Sequence, residues 1–296
     1  MEYLNLYGIM FSVQHQIKDQ LKNKALCENK IAILGCGWLG LPLAEYCKVK
    51  GYEVNGSTTT SEKLKVLEEK GLKPFLLKLD PETNDEAFLD FLKVKYLVIN
   101  IPPSLRKNSP GYHIRQVKFI CSQLQELPKK VIFISSTSVY PENETEVNEE
   151  GAVNLNHELL QAEDILKQKL KNKLVILRCG GLMGYERIPG KYFAGKKGVP
   201  GGNNPVNYVH RDDVIRIIFQ MLENEIFGGL FNVVAPHHPL KKEVCMKTAE
   251  DFGFEIPEFN EEKAAGFKIV NGEKLIKTLN FKFKYPDPVS FYYNFP

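Results

Sequence analysis

The stretch LGCGWLGLPLA, residues 34–44, decides the fold. It follows the apolar run KIAI and sets Gly35, Gly37 and Gly40 in Gly-x-Gly-x-x-Gly spacing at the start of a helical pattern. In such a loop the first glycine permits a tight turn, the second lets the backbone approach a pyrophosphate, and the third lets the helix pack against the strand. The stretch therefore predicts a dinucleotide-binding site, and a glycine-rich turn without a ligand is the alternative.

Strands and helices alternate after this stretch. Besides KIAILG (30–35), nearly continuous aliphatic runs predict strands at 52–57, 74–80, 96–101, 131–136 and 174–179, with helical patterns between them. Strands of this kind, separated by helices, are typical of a parallel sheet that is buried on both faces. We therefore predict an α/β fold, a doubly wound parallel sheet (Rossmann fold) with the strand order 3-2-1-4-5-6 and a small interleaved C-terminal lobe.

The pattern divides the chain into an N-terminal extension, a dinucleotide-binding domain and a substrate lobe. Residues 1–29 are the extension. Residues 30–180 form the NAD(P)-binding domain, to which 206–236 return. The glycine- and proline-rich stretch 181–205 forms the substrate lobe together with 237–296. A long loop without regular structure inside a compact chain is usually functional.

The composition argues against nucleic acid and membranes as binding partners. Of the 296 residues 25% are charged, but the net charge is only +3, so the chain carries no strong field for nucleic acid or an anionic membrane. No apolar run reaches the roughly 18 residues that a membrane-spanning helix needs. The six cysteines show neither Cys-x-x-Cys nor zinc-ligand spacing, which predicts reduced thiols, no metal site and a cytoplasmic location. We expect a small-molecule substrate as the partner.

The end of the second predicted strand bears on the choice between NAD and NADP. An NAD site usually has a carboxylate there for the ribose 2′-hydroxyl, and this chain has none. Instead Thr58 and Thr59 lie at the start of the next helix and Lys63 one turn further on, an arrangement that suits a 2′-phosphate. The sequence therefore favours NADP and leaves NAD open. Thr59 and Glu62 also fit a capping box, which needs no ligand.

The fourth predicted strand ends in Asn100 and, two residues on, Pro102, at the point where the strand order reverses. In a doubly wound sheet the loop at this point faces the glycine loop across the ligand crevice. The residues expected to contact the cofactor are therefore Gly35, Gly37, Trp38, Leu39, Gly40, Thr58, Thr59, Lys63, Asn100 and Pro102.

Four later segments carry a resemblance to a known family. They are VIFISSTSVYP (131–141), LVILRCGGLMG (174–184), VNYVHRDDVIRII (206–218) and LFNVVAP (230–236), in this order. The chain resembles the extended and atypical short-chain dehydrogenase/reductases, the NAD(P)-dependent sugar-nucleotide epimerase/dehydratase group. The resemblance implies an oxidoreductase or epimerase that acts on a sugar nucleotide or a similar small carbonyl or hydroxyl substrate. It also implies a homodimer through the helical patterns at 112–127 and 154–170 as one possible assembly.

In that family a serine or threonine after the fifth strand binds the substrate oxygen, and a Tyr-x-x-x-Lys pair on the next helix provides the acid and base. The resemblance maps the first role onto Ser136, with Thr137 beside it. If Glu163 is the family's glutamate on that helix, the tyrosine and lysine positions become Leu155 and Leu159, and leucines cannot transfer protons.

Other residues are then candidates for the proton donor: Tyr140, His157, Tyr185 and His210. An imidazole titrates in a useful range, whereas packing tyrosines and exposed histidines are the plain alternatives. Tyr185, Arg187 and His210 are also candidates for the substrate site, where a guanidinium such as that of Arg187 or Arg211 could hold a diphosphate in bidentate fashion. The opposing hypothesis is a non-catalytic NAD(P)-binding sensor or scaffold protein.

Overall fold

The computed structural model describes residues 28–79, 86–103, 109–124, 128–226, 228–260 and 265–294. The N-terminal extension predicted for 1–29 thus lies outside the described residues, apart from its last two positions. Within the described part of the chain, no helix is long and apolar enough to cross a membrane.

A parallel sheet forms the centre of the described structure. Its strands are β1 (Lys30–Leu34), β2 (Glu53–Thr58), β3 (Lys73–Leu76), β4 (Tyr96–Ile99), β5 (Lys130–Ser136), β6 (Leu174–Cys179) and β7 (Gly229–Val233). They lie in the order β7-β6-β5-β4-β1-β2-β3, and every neighbouring pair is parallel. The predicted doubly wound order 3-2-1-4-5-6 is confirmed. Strand β7, which comes from the segment predicted to return to the domain, extends this order beside β6.

Helices cover both faces of this sheet. In chain order the helices of the described structure are α1 (Gly40–Val49), α2 (Glu62–Glu69), α3 (Glu86–Phe91), α4 (Tyr112–Gln123), α5 (Glu158–Leu170), α6 (Pro189–Phe193), α7 (Arg211–Glu223), α8 (Lys241–Asp251) and α9 (Glu273–Leu279). Of these, α6 and α8 pack against each other in the C-terminal lobe and not on the sheet. Helix α5 begins later than the pattern at 154–170 suggests, because the imidazole of His157 accepts a hydrogen bond from the Leu159 N–H and so caps the helix there.

The sheet is buried on both faces, as its sequence predicts. Along β1, Ala32 and Leu34 belong to a core cluster that also contains side chains of α3, α4 and α5. Ile31 and Ile33 belong to a second cluster with side chains of α1, α2 and α7. These four side chains are at most 1% exposed. Because successive side chains of a strand face opposite sides, a strand covered by helices on both faces needs an unbroken apolar run.

The C-terminal lobe is interleaved with the sheet domain. Strand Ile269–Val270 pairs with Glu146–Val147, which follows β5, and strand Tyr208–His210 pairs with Gly181–Met183, which follows β6. The lobe therefore joins the sheet domain where the strands of the sheet have their carboxyl ends. In doubly wound folds ligands bind at this edge.

A buried ion pair fixes α5 against the sheet. Arg178 on β6 donates from Nε to Glu163 Oε1 over 3.0 Å and from Nη2 to Glu163 Oε2 over 2.7 Å. The hydroxyl of Ser135 also donates to Glu163 Oε1, over 2.6 Å. Both charged side chains are buried, and removing one partner of such a pair typically costs about 3–5 kcal/mol. The pair therefore holds α5 firmly beside the end of β5.

The buried cysteines predict how stability depends on pH. Burial raises the pKa of Cys36, Cys47 and Cys179 from the ordinary 9.0 to about 12, and that of Cys121 and Cys245 to about 11. Above pH 9 the unfolded chain loses these protons while the folded chain keeps them. The free energy of unfolding should therefore fall as pH rises above 9, by up to about 1.4 kcal/mol per pH unit and per thiol.

Urea denaturation under reducing conditions at pH 8 and pH 10 checks this sign. Lys130 acts in the opposite direction, because burial lowers its pKa from 10.5 to about 8, so that its contribution to stability rises with pH between those two values. The stability gained from this one lysine is smaller than the stability lost from the five thiols. A free energy of unfolding that is equal or larger at pH 10 would contradict the burial of the cysteines.

Candidate functional site

The glycine loop between β1 and α1 shows a separate physical reason for each glycine. Gly35 has a φ of +103°, and a Cβ there would lie 2.5 Å from the carbonyl oxygen of Asn100. A Cβ on Gly40 would lie 2.1 Å from the carbonyl oxygen of Gly35, so this glycine lets α1 approach the strand. A Cβ on Gly37 would meet nothing within 4 Å. The middle glycine therefore faces open space and can admit a ligand close to the backbone.

The neighbouring strands hold this loop in place. The hydroxyl of Ser57, in β2, accepts a hydrogen bond from the Gly35 N–H over 2.8 Å, and the side-chain amide of Asn100 donates to the carbonyl oxygen of Gly35 over 3.1 Å. Asn100 was predicted at the cofactor site, whereas sequence reasoning missed Ser57. Its position near the end of β2 was the only signal in the sequence.

A cleft of about 210 Å³ opens at the carboxyl ends of β1, β2 and β4. The predicted cofactor residues that line it are Gly35, Gly37, Thr58, Thr59, Lys63, Asn100 and Pro102. The other three predicted residues do not line this cleft. Leu39 packs into the core at 3% exposure, and Gly40, the first residue of α1, has no side chain to offer to a ligand. Trp38 lies against the guanidinium groups of Arg187 and Arg211.

The end of the cleft at β2 has hydroxyls and a cation. Among the described residues that line the cleft there is no carboxylate, and Lys63 forms no ion pair in the described part of the chain. The capping-box alternative for Thr59 and Glu62 is wrong, because α2 begins at Glu62 with Ser61 as its N-cap residue and without a side-chain cap. The side chains of Thr59 and Lys63 are both exposed.

A chain of hydrogen bonds begins at the end of β5. The hydroxyl of Ser136 accepts a hydrogen bond from the Ser138 N–H over 3.1 Å, and Ser138 Oγ lies 3.2 Å from His157 Nε2. His157 Nδ1 accepts the Leu159 N–H over 3.2 Å, so the imidazole proton is on Nε2, which donates to Ser138. Burial lowers the pKa of His157 from its usual 6.5, so the imidazole is neutral at pH 7.

This arrangement brings together two of the predicted catalytic residues, Ser136 and His157, through a residue that sequence reasoning missed. Ser138 is exposed, and its hydroxyl can therefore contact a substrate or water. Thr137 is only 6% exposed. Leu155, at the position to which the resemblance maps the family's tyrosine, is 76% exposed in the turn before α5.

Tyr140 is a core residue rather than a proton donor. Its side chain is 2% exposed, and its hydroxyl donates to Asn232 Oδ1 over 2.7 Å. Its ring centre lies 4.9 Å from the guanidinium carbon of Arg178. Burial raises the pKa of the phenol. The prediction of a catalytic role is therefore wrong, because the hydroxyl is buried and already has its partner.

His210 is also structural. Its ring is fully buried, 3.9 Å from the ring centre of Tyr285. Nδ1 accepts the Asp212 N–H over 3.2 Å and thereby caps α7, while Nε2 lies 3.0 Å from the carbonyl oxygen of Tyr292. Both nitrogens are occupied, so the predicted contact of His210 with substrate is wrong.

Tyr185 and Arg187 lie on the other side of the glycine loop. The hydroxyl of Tyr185 donates to Asp212 Oδ1 over 2.9 Å, which leaves Tyr185 without a free proton for catalysis. The guanidinium carbon of Arg187 lies 4.0 Å from the centre of the Trp38 ring. Arg187 therefore adjoins the loop that carries Trp38, and Tyr185 reaches that loop only through Arg211, whose guanidinium contacts both aromatic rings.

Comparison with known proteins identifies a relative that matches most of the chain. No protein-family model matches the chain. Protein YeeZ of Escherichia coli (strain K12) is 36% identical over 270 residues, which cover 88% of this chain and 97% of that protein.

Solved structures share the fold. A putative NAD-dependent epimerase/dehydratase from Methylobacillus flagellatus is 24% identical with a TM-score of 0.71, over 89% of this chain and 96% of that one. UDP-glucose 4-epimerase from Thermotoga maritima, solved with UDP-glucose, is 18% identical with a TM-score of 0.70, over 86% of this chain and 94% of that one. These likenesses confirm the doubly wound fold.

Proposed function

This chain belongs to the family of protein YeeZ, among the atypical short-chain dehydrogenase/reductases, and from that premise we propose that it is an NAD(P)-dependent oxidoreductase or epimerase. Its substrate is a sugar nucleotide or a similar small molecule with a carbonyl or hydroxyl group. The observation that carries the proposal is the cleft that opens on Gly37, between the ends of β2 and β4.

The residues around this cleft fit a dinucleotide. Gly37 leaves space beside the backbone, and the N-terminus of α1 offers N–H groups to a pyrophosphate. Asn100 and Pro102 line the opposite side. When bound, a nicotinamide cofactor supplies the hydride donor or acceptor for the reaction.

Ser136 and Ser138 provide hydrogen bonds to the substrate oxygen. Because Ser136 Oγ accepts from the Ser138 N–H, its own proton is free to point towards the substrate. The Ser138 hydroxyl accepts from His157 Nε2, which makes its proton a better donor to an oxygen that gains negative charge. In a reduction the proton moves from Ser138 Oγ to the substrate oxygen. Because Ser138 is exposed, a water molecule then returns a proton to Ser138 Oγ.

The hydroxyls and Lys63 at the end of β2 support NADP as the cofactor. Replacing Lys63 by glutamine should weaken NADPH binding about 10-fold and leave NADH binding unchanged, since only NADPH carries the 2′-phosphate. The dissociation constants follow from calorimetric titration. Lys65→Gln is the matched control, because Lys65 lies in the same helix and is exposed beside Glu69. Equal loss of both cofactors in the Lys63 variant would contradict the assignment.

An activity screen tests the proposed function itself. We expect purified protein to oxidise NADPH, or to interconvert epimers, with at least one compound from a panel of carbonyl compounds and nucleotide sugars. Cofactor binding without turnover of any of them would favour the second candidate, a non-catalytic NAD(P)-binding sensor or scaffold. The observation that favours this second candidate is Leu155, which is exposed at the position to which the resemblance maps the family's tyrosine and cannot act as an acid or a base.

Three other expectations stay predictions: a cytoplasmic location, a small molecule as the partner, and a homodimer through α4 and α5. Within one chain these two helices already contact each other, since the Glu158 carboxylate accepts the His113 N–H over 3.0 Å. The outer faces of the two helices would form the contact between copies.

A further inference from the structure

Three side chains meet beside the glycine loop, outside the cofactor cleft. Trp38 belongs to the loop, Arg187 follows the strand Gly181–Met183, and Arg211 is the first residue of α7. The guanidinium carbons of Arg187 and Arg211 lie 4.0 Å and 4.8 Å from the centre of the indole ring. Two cations thus share one aromatic ring.

The positive charges of this cluster are not neutralised. Within the described residues neither Arg187 nor Arg211 forms an ion pair, whereas Arg216, one turn further along α7, pairs with Asp213 over 2.6 Å. Burial lowers the pKa of the Arg187 guanidinium, and the neighbouring charge of Arg211 lowers it as well. Two half-buried cations so close together without an anion are unfavourable unless a ligand supplies the negative charge.

Two hydrogen-bond donors of the cluster also have no acceptor. Trp38 Nε1 and Arg211 Nε are buried and have no partner among the described residues. Arg211 uses Nη1 for the carbonyl oxygen of Trp38, over 3.3 Å, and this contact keeps the two residues together. Buried donors are nearly always paired in native proteins, so these two mark the place of an absent acceptor.

The nearby carboxylate does not fill this role. Asp212 accepts the hydroxyl of Tyr185 over 2.9 Å and lies 3.9 Å from Lys284 Nζ. Tyr185 in turn places its ring 3.7 Å from the guanidinium carbon of Arg211. Asp212 is therefore engaged, and the aromatic rings hold Arg211 towards Trp38 and Arg187.

We propose that Trp38, Arg187 and Arg211 form a second anion site, which takes a phosphate or diphosphate group of the substrate. The proposal rests on the proposed function, because it places the substrate next to the cofactor. Guanidinium groups match phosphate oxygens in bidentate geometry, and the indole N–H adds a third donor. None of the three side chains lines the cleft assigned to the cofactor, so the two anion sites are separate.

Trp38 is the only tryptophan of the chain, so tryptophan emission reports on the surroundings of this one residue, and saturating NADP⁺ separates the anion site from the adjacent glycine loop. Inorganic pyrophosphate is the probe, titrated into the full-length protein with and without saturating NADP⁺. We expect a saturable change of Trp38 emission in both titrations. Arg187→Gln and Arg211→Gln should each raise the dissociation constant of pyrophosphate at least about 10-fold, while the affinity for NADP⁺, measured by calorimetry, changes less than about 2-fold.

Control variants protect the test against misfolding and general charge effects. Arg115→Gln removes an exposed arginine of α4 and should leave pyrophosphate binding unchanged. Arg187→Lys keeps the charge but loses the bidentate geometry, and it should fall between the wild type and Arg187→Gln. Thermal unfolding establishes that each variant is folded.

Two results would overturn the proposal. One is the absence of a saturable emission change in the wild-type protein. The other is a loss of NADP⁺ affinity in the arginine variants as large as the loss of pyrophosphate affinity, because the arginines would then belong to the cofactor site. The titration with pyrophosphate alone needs neither cofactor nor turnover. If the protein binds pyrophosphate through Arg187 and Arg211 but never binds NADP⁺, the result contradicts the proposed function and still supports the anion site.

Discussion

Replacing Ser136 by alanine should lower turnover about 100-fold and leave the affinity for NADPH unchanged. Ser136 ends β5, which lies next to β4, the strand that leads into the loop at Asn100, and none of the described residues accepts the Ser136 proton. Loss of one donor to an oxygen that becomes negative in the transition state typically costs about 100-fold to 1,000-fold in rate. Steady-state rates with the best substrate of the activity screen, together with calorimetric titration of NADPH, measure both quantities.

Two comparisons make this prediction specific. Ser122→Ala removes a hydroxyl of α4 that bonds only its own helix, and it should have no effect on turnover. Ser138→Ala removes the proton donor and should slow turnover at least as much as Ser136→Ala, whereas His157→Ala should slow it by a smaller factor. The double variant of Ser138 and His157 should be no slower than Ser138→Ala alone, because His157 acts through Ser138. Turnover of Ser136→Ala at the wild-type rate would remove the serine from the mechanism.

The variant Gly37→Val should lose dinucleotide binding while it keeps its fold. A Cβ at this position meets no protein atom within 4 Å, and Gly37 is not among the glycines with positive φ, so the folded chain accepts a side chain there without strain. Only a ligand that lies against the backbone would meet the added methyl groups. We expect the dissociation constant for NADPH to rise at least about 100-fold, which corresponds to about 2.7 kcal/mol.

Gly40→Val is the informative contrast to this variant. Its Cβ would lie 2.1 Å from the carbonyl oxygen of Gly35, so the helix could not pack and the protein should be strongly destabilised. Thermal unfolding and circular dichroism separate the two cases. If Gly37→Val bound NADPH as tightly as the wild type, the pyrophosphate would not approach this loop.

The features that could be predicted from the sequence are those that depend on neighbours along the chain. The glycine spacing sets a local turn, and the unbroken apolar run of β1 requires burial on both faces. The strand order then follows, because crossover connections through helices are short and right-handed. Gly35, Gly37 and Asn100 come together for these reasons, although they belong to different segments of the chain.

The errors concern side chains whose direction depends on distant partners. Tyr140 is four residues from Ser136, but its hydroxyl bonds Asn232, 92 positions further along the chain. The sequence around His210 suggests that it contacts the substrate, but its Nε2 lies against the carbonyl oxygen of Tyr292, 82 positions away. A pattern of neighbouring residues cannot reveal partners that are so far apart along the chain. Ser138 was missed for the same reason, because its partner His157 lies 19 positions away, before another helix.

Calorimetric titration of the unmodified protein with NADPH tests the central claim, that a nicotinamide dinucleotide binds on the glycine loop. We expect saturable binding at one site per chain, tighter for NADPH than for NADH because of the threonines and Lys63 at the end of β2. Binding of neither cofactor, in oxidised or reduced form, would contradict the claim.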